Sequence, residues 1–280
     1  MSRFAPPLRL MTHYPLGGLI TLLFGSGCHD AQIDWPRPDS SRGVIVMLPG
    51  VEGGAWQLAE VRAGLVKAGI TDDLIAVDWG VRPFGSLINL TDIDANRRRA
   101  RKLAEEIASH SRLAPAQPIQ LVGFSGGGGL AMLVANELPA DVNLDQIVVI
   151  AAAISPDFDI TPALRHTHRG MVNFYSSRDT VVLGWGTRTL GTIDRSKTDS
   201  AGQIGFKKPD GSLREQDRLK QIAWSPEWRR LGHDGGHIGW LAREWAREIL
   251  APILRRPANA FNATNVATRV NRAWMTDLSQ

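Results

Sequence analysis

Leu121-Val122-Gly123-Phe124-Ser125-Gly126-Gly127-Gly128-Gly129 is the stretch that decides how this chain is read. The apolar run from Ile119 ends in Gly-x-Ser-x-Gly, and the apolar Leu130-Ala131-Met132-Leu133-Val134-Ala135 follows at once. The pattern predicts a buried strand, a sharp turn at Ser125 and a helix over 126–138. Such a turn holds one serine proud of a sheet edge. It demands small neighbours, because its backbone is strained and the helix packs closely on the strand. Gly123 and Gly127 meet that demand and mark a nucleophile elbow. Ser125 would also stand at a helix N-terminus, whose free N–H groups favour a developing negative charge. A plain glycine-rich turn is the competing reading. Two phosphate-binding motifs are excluded. No Gly-Lys-Ser/Thr follows, and Phe124-Ser125 after Gly123 breaks the Gly-x-Gly-x-x-Gly fingerprint.

Working outward, short apolar runs alternate with helical patterns. Strands are expected at Val44–Leu48, Leu74–Trp79, Ile119–Val122, Ile147–Ala151 and Met171–Tyr175. Helices are expected at Trp56–Ala68, Asp92–Leu113, Gly126–Leu138 and Ile238–Leu254. Continuous apolar strands between amphipathic helices predict an α/β fold, with a mostly parallel, doubly wound sheet and helices on both faces. The gap between Ile154 and Met171 leaves no room for a large lid before the next strand. The longer segment 184–224 has no fold readable from its sequence.

The 280 residues suffice for one large domain, and 43% hydrophobic with 21% charged residues is ordinary for a globular protein. Net charge is +4, and no Lys/Arg patch is interleaved with aromatics, so nucleic acid is not an expected partner. The basic run Arg97-Arg98-Arg99-Ala100-Arg101-Lys102 falls on a helix whose stripe Ile93, Ala100, Leu103, Ala104 and Ile107 faces inward. Its charges read as a solvated face.

On a parallel sheet, functional groups gather at the carboxyl ends of strands. The first strand ends in Pro49-Gly50-Val51-Glu52-Gly53-Gly54. The backbone N–H groups of Val51 and of Gly126 are candidate donors to an oxyanion. Glu52 would oppose that charge and is expected to point away or to pair with a cation. After Met171–Tyr175 comes Asp179, a candidate to orient a histidine, with Asp157 and Asp159 as rivals. The segment Gly232-His233-Asp234-Gly235-Gly236-His237 precedes the closing helix and offers His237 as the base, with His233 as the rival. Two histidines without third and fourth ligands of matching spacing do not make a metal site, and neither a metal nor a cofactor is implied.

Gly-rich loop, elbow, acid and histidine fall in the order seen in the α/β-hydrolase superfamily, which this chain resembles from about Arg42 to Leu254. The resemblance implies Ser125 as nucleophile, His237 as general base and Asp179 as orienting acid. It implies hydrolysis of a carboxylic ester or related acyl bond in a small molecule. Acyltransferase or thioesterase chemistry and a non-catalytic binding protein are the alternatives. Pro49 stands where many esterases carry histidine. Oligomeric state and substrate identity are not readable.

The first residues have a separate pattern. Arg3 and Arg9 precede the apolar Leu16–Phe24, and Gly25-Ser26-Gly27 leads to Cys28, the one cysteine in the chain. This has the form of a secretory signal and resembles a bacterial lipoprotein leader, with Gly25 in place of the usual leucine. The expected layout is a leader over 1–28, a tether over 29–42, the domain over 43–255 and a polar tail over 256–280. Export follows, to the periplasm or to a membrane held through lipid on Cys28, with a cytoplasmic location as the alternative. One acyl chain binds a membrane only marginally and several hold it firmly. The mature chain should therefore begin at Cys28, carry lipid mass and stay with membranes through a salt wash. A native chain found soluble and still carrying residues 1–27 by intact mass would contradict this.

Overall fold

The computed structural model describes residues 28–29, 31–39, 41–81, 85–179, 192–194, 196, 198–212, 214 and 217–256. Residues 1–27 of the expected leader and 257–280 of the expected tail lie outside them. Six strands form one sheet: β2 (Val44–Leu48), β3 (Asp73–Ala76), β5 (Ile119–Phe124), β6 (Gln146–Ile150), β7 (Met171–Tyr175) and β8 (Leu219–Ala223). Their order is β3-β2-β5-β6-β7-β8, and every neighbouring pair is parallel. A separate antiparallel pair joins β1 (Cys28–His29) to β4 (Gly80–Val81).

The strands read as continuous apolar runs because both faces are covered, and successive residues serve opposite faces. Val44, Val46 and Leu48 join one buried cluster with Leu121, Ile147 and Val149. The helices α3 (Ile93–Leu113), α4 (Gly126–Glu137) and α5 (Thr161–Arg165) complete it. Ile45 and Met47 turn the other way, with Phe124, Val148 and Ile150, against α1 (Ala59–Lys67) and the segment from Trp228 to Leu254. The inward stripe of α3 is buried as expected, and Arg97, Arg98 and Arg101 are exposed. Between β6 and β7 only α5 intervenes, so no large lid precedes the acid-bearing strand.

Three differences from the sequence reading have physical causes. The segment 184–224 contributes a strand, β8, at the sheet edge. Its Leu-Lys-Gln-Ile-Ala pattern is half-exposed and carries no long apolar run. The closing element is not one helix from Ile238. A 3-10 turn, His237–Leu241, stops at the extended Ala242, and helix resumes over 243–254. Within it Ala246–Leu250 is π-wound just before Pro252, whose missing N–H and bulky ring disturb the ladder there. Finally, the segment read as a tether lies against α3. Ala31 and Ile33 are buried, the Ile33 N–H donates to Glu106 Oε2 at 2.7 Å, and Trp35 stacks on His110 at 4.0 Å. The sheet is thus framed on both faces, and its carboxyl edge is left to the loops that carry the candidate site.

Candidate active site

The chain leaves β2 toward β3 on one side and returns to β5 on the other. The carboxyl ends of β2 and β5 therefore flank the point where the strand order reverses, where open α/β sheets place their ligands. Ser125 sits there, between β5 and α4. Its φ of 55° and ψ of −120° are unusual for a residue with a side chain. Such a conformation costs about 1–3 kcal/mol and persists only when its surroundings over-determine it. Here they do. The Ser125 N–H donates to Ile150 O at 2.9 Å, and its carbonyl accepts from Gly128, Gly129 and Ala153 N–H at 2.9, 3.2 and 3.0 Å. A methyl group on Gly127 would lie 2.2 Å from both Leu48 O and Pro49 O, and one on Gly123 would lie 2.4 Å from Gly127 O. Both glycines are required for the turn to close on the sheet.

The three side chains singled out in sequence meet in one line. Ser125 Oγ lies 2.9 Å from His237 Nε2, and Asp179 Oδ2 lies 2.6 Å from His237 Nδ1. A carboxylate can only accept, so the Nδ1 proton belongs to the bond with Asp179. Nε2 is then the acceptor for the Ser125 hydroxyl. Ser125 and Asp179 are buried at 4% and 1% exposure, so this relay is shielded from water. Phe124 covers the His237 ring, with centroids 4.9 Å apart. The rivals are elsewhere. Asp157 is exposed, and Asp159 Oδ1 accepts from the Thr161 N–H at the start of α5.

The candidate oxyanion donors are neighbours. Gly126 is the first residue of α4 and has no acceptor for its N–H within the helix. The Val51 N–H has no partner among the described residues. A methyl group on Gly126 would lie 2.4 Å from Val51 Cγ1 and 3.2 Å from the Val51 nitrogen. Two side chains that sequence reasoning missed hold this loop. Trp79 Nε1 donates to Pro49 O at 2.9 Å, and Asn89 Nδ2 donates to Val51 O at 2.8 Å. Asn89, fully buried, lies on α2 (Ser86–Thr91) and also accepts from the Val81 N–H. A lone asparagine among Leu87, Ile88 and Leu90 was the available signal. Glu52 accepts from Ser86 Oγ at 2.6 Å and pairs with no cation among the described residues.

His233 does not reach Ser125. It is fully buried beneath the loop, and its Nδ1 accepts from the Gly235 N–H at 3.2 Å. The surface beside His237 is an open depression lined by Gly232, Asp234, Gly236, Ile238 and Gly239. Among the described residues, no three His, Cys, Asp or Glu side chains are grouped to hold a metal. No described helix is long and apolar enough to cross a membrane.

No family model matches the chain, and no curated protein matches it in sequence. Solved structures do resemble it. Lipase B of Aspergillus fumigatus superposes with a TM-score of 0.48 at 12% identity, over 80% of this chain and 56% of that one. This chain thus spans little more than half of that lipase. A serine hydrolase without lid from Xanthomonas campestris gives 0.46 at 16% identity, over 82% and 90%. Esterase 2 of Thermogutta terrifontis gives 0.43 at 16% identity, over 83% and 97%. Likeness at these scores bears no weight for the chemistry, which rests on the geometry of the chain itself.

The enclosed His233 has a measurable consequence. Burial pushes its imidazole down to about 4 from an ordinary 6.5, against the weaker pull of Asp234. The folded state then holds it neutral where the unfolded chain would protonate it. Its contribution to stability is complete above pH 6.5 and is lost as pH falls toward 4. The loss should reach roughly 3 kcal/mol. Urea unfolding at a series of pH values should show the wild type losing about that much more than His233→Leu across the window. Parallel curves would contradict it.

Proposed function

We propose that this chain is a serine hydrolase that cleaves a carboxylic ester or related acyl bond through an acyl-enzyme. The observation that carries the reading is the continuous relay from Ser125 Oγ through the His237 ring to Asp179, at 2.9 and 2.6 Å. A hydroxyl is a weak nucleophile unless a base takes its proton, and His237 Nε2 is placed to do so. Asp179 fixes the tautomer that leaves Nε2 bare and stabilises the imidazolium that forms.

Ser125 attacks the substrate carbonyl as its proton passes to His237. The carbonyl oxygen gains negative charge beside the Val51 and Gly126 N–H groups and the N-terminus of α4, each favourable to an anion. His237 returns the proton to the leaving alcohol. Water then enters, gives its proton to His237 and attacks the acyl carbonyl, and Ser125 is restored. The substrate is a small ester or acyl compound.

The p-nitrophenyl esters of short acids are the direct test. Ser125→Ala and His237→Ala should each lower kcat by about ten-thousandfold or more, with melting close to wild type. Gly126→Ala should displace Val51 and cost about a hundredfold, the usual worth of one oxyanion donor. Undiminished hydrolysis by Ser125→Ala would contradict the reading.

A further inference from the structure

His233 has no part in the transfer described above, yet it is fully enclosed, with no exposed surface. The rings of Trp224, Trp228, Trp240 and Trp245 surround it, that of Trp240 at 4.2 Å between centroids. Its Nε2 has no hydrogen-bond partner among the described residues. An imidazole is a poor filler for such a cage. A buried donor without an acceptor costs about 1–3 kcal/mol, which an apolar side chain would not incur. What an apolar side chain lacks is the acceptor at Nδ1.

That acceptor holds Gly235. The φ of Gly235 is +102°, a region that favours glycine. Its N–H donates to His233 Nδ1 at 3.2 Å, and its carbonyl accepts from Ser176 Oγ at 2.6 Å. One residue is thus gripped at both of its polar groups, by His233 and by the end of β7. Ser176 ties down the acid loop as well. Its Oγ accepts from the Arg178 N–H at 3.2 Å, and its carbonyl accepts from the Asp179 N–H at 3.1 Å. Asp179 follows Ser176 closely in sequence, and His237 follows Gly235. The distance between acid and histidine is set across this short bridge. The grip needs one tautomer, because a proton on Nδ1 would face the Gly235 N–H donor to donor. Enclosure among apolar rings keeps the imidazole neutral.

We infer that His233 is a positioning residue, whose bare Nδ1, acting through the Gly235 N–H, orients the loop that delivers His237 to Asp179 and Ser125. The inference rests on the proposed roles of those three residues, but it can be read without turnover.

His233→Asn and His233→Leu remove the same ring from the cage. Asparagine places an oxygen where Nδ1 stood, and leucine places a methyl group there. Two quantities are measured: kcat and KM on a soluble p-nitrophenyl ester, and the far-downfield proton NMR signal of His237 Nδ1–H. The leucine variant should lower kcat by about ten- to a hundredfold with KM nearly unchanged, the cost of a displacement near 1 Å. Its His237 signal should broaden or shift. The asparagine variant should recover kcat to within about fivefold of wild type and keep the signal. Wild-type kcat and signal in the leucine variant would overturn the inference, as would equal losses in both variants with unaltered melting. If both melt early, Ser176→Ala tests the same bridge with the cage intact. It should lower kcat and alter the signal, and an unchanged signal overturns the bridge. A wild type that shows the His237 signal but hydrolyses no ester contradicts the functional reading alone, and the NMR comparison still decides the role of His233.

Discussion

The close approach of α4 to the ends of β2 and β5 is the constraint on which the rest of the site depends. At Gly127 the helix meets the carbonyls of Leu48 and Pro49 with no room for a methyl group, and at Gly123 the strand meets Gly127 in the same way. That crowding forces the chain through the positive φ of Ser125. The strain is offset by four backbone hydrogen bonds on Ser125, each with a net worth of about 0.5–1.5 kcal/mol. The Ser125 hydroxyl is therefore presented by rigid backbone rather than by a mobile loop. The same approach brings the first free N–H of α4 beside Val51.

The other two members of the relay reach Ser125 on loops, and loops need bracing to hold a hydrogen bond to a few tenths of an ångström. The bracing is polar and buried. Asn89 and Trp79 fix the loop after β2, while Ser176 joins the acid loop to the histidine loop. Behind the histidine loop stands an aromatic wall of Phe174, Trp228, Trp240 and Trp245, packed largely edge-to-face. The indole N–H groups of Trp228, Trp240 and Trp245 find no acceptor among the described residues. Edge-to-face contact sets the positive edge of one ring against the negative face of the next, which favours this arrangement over stacking. A wall of this kind is stiff because large rings have few rotamers.

Much of this was legible in the sequence where the physics is local. The four inner strands announce themselves because burial on both faces leaves mostly apolar residues. The elbow announces itself because its sterics demand glycine. Less was legible where the decisive fact is non-local. β8 is half-exposed, so Leu219–Ala223 carries little periodic signal. His233 and His237 share one glycine-rich segment, and only the three-dimensional packing of the flanking tryptophans separates the caged ring from the one beside Ser125. The segment Ala31-Gln32-Ile33-Asp34-Trp35 alternates apolar and polar with a period of two, and its apolar residues are the ones that pack on α3. That signal was present but short, and the prolines after it favoured reading a tether.

The central claim is that the fold activates one serine. Treating the folded wild-type protein with a fluorophosphonate and mapping the adduct by peptide mass spectrometry tests it most directly. A single adduct, on Ser125, is expected, formed far more slowly when His237 is replaced by alanine. An adduct on another serine, or a folded protein that takes up no label, would contradict it.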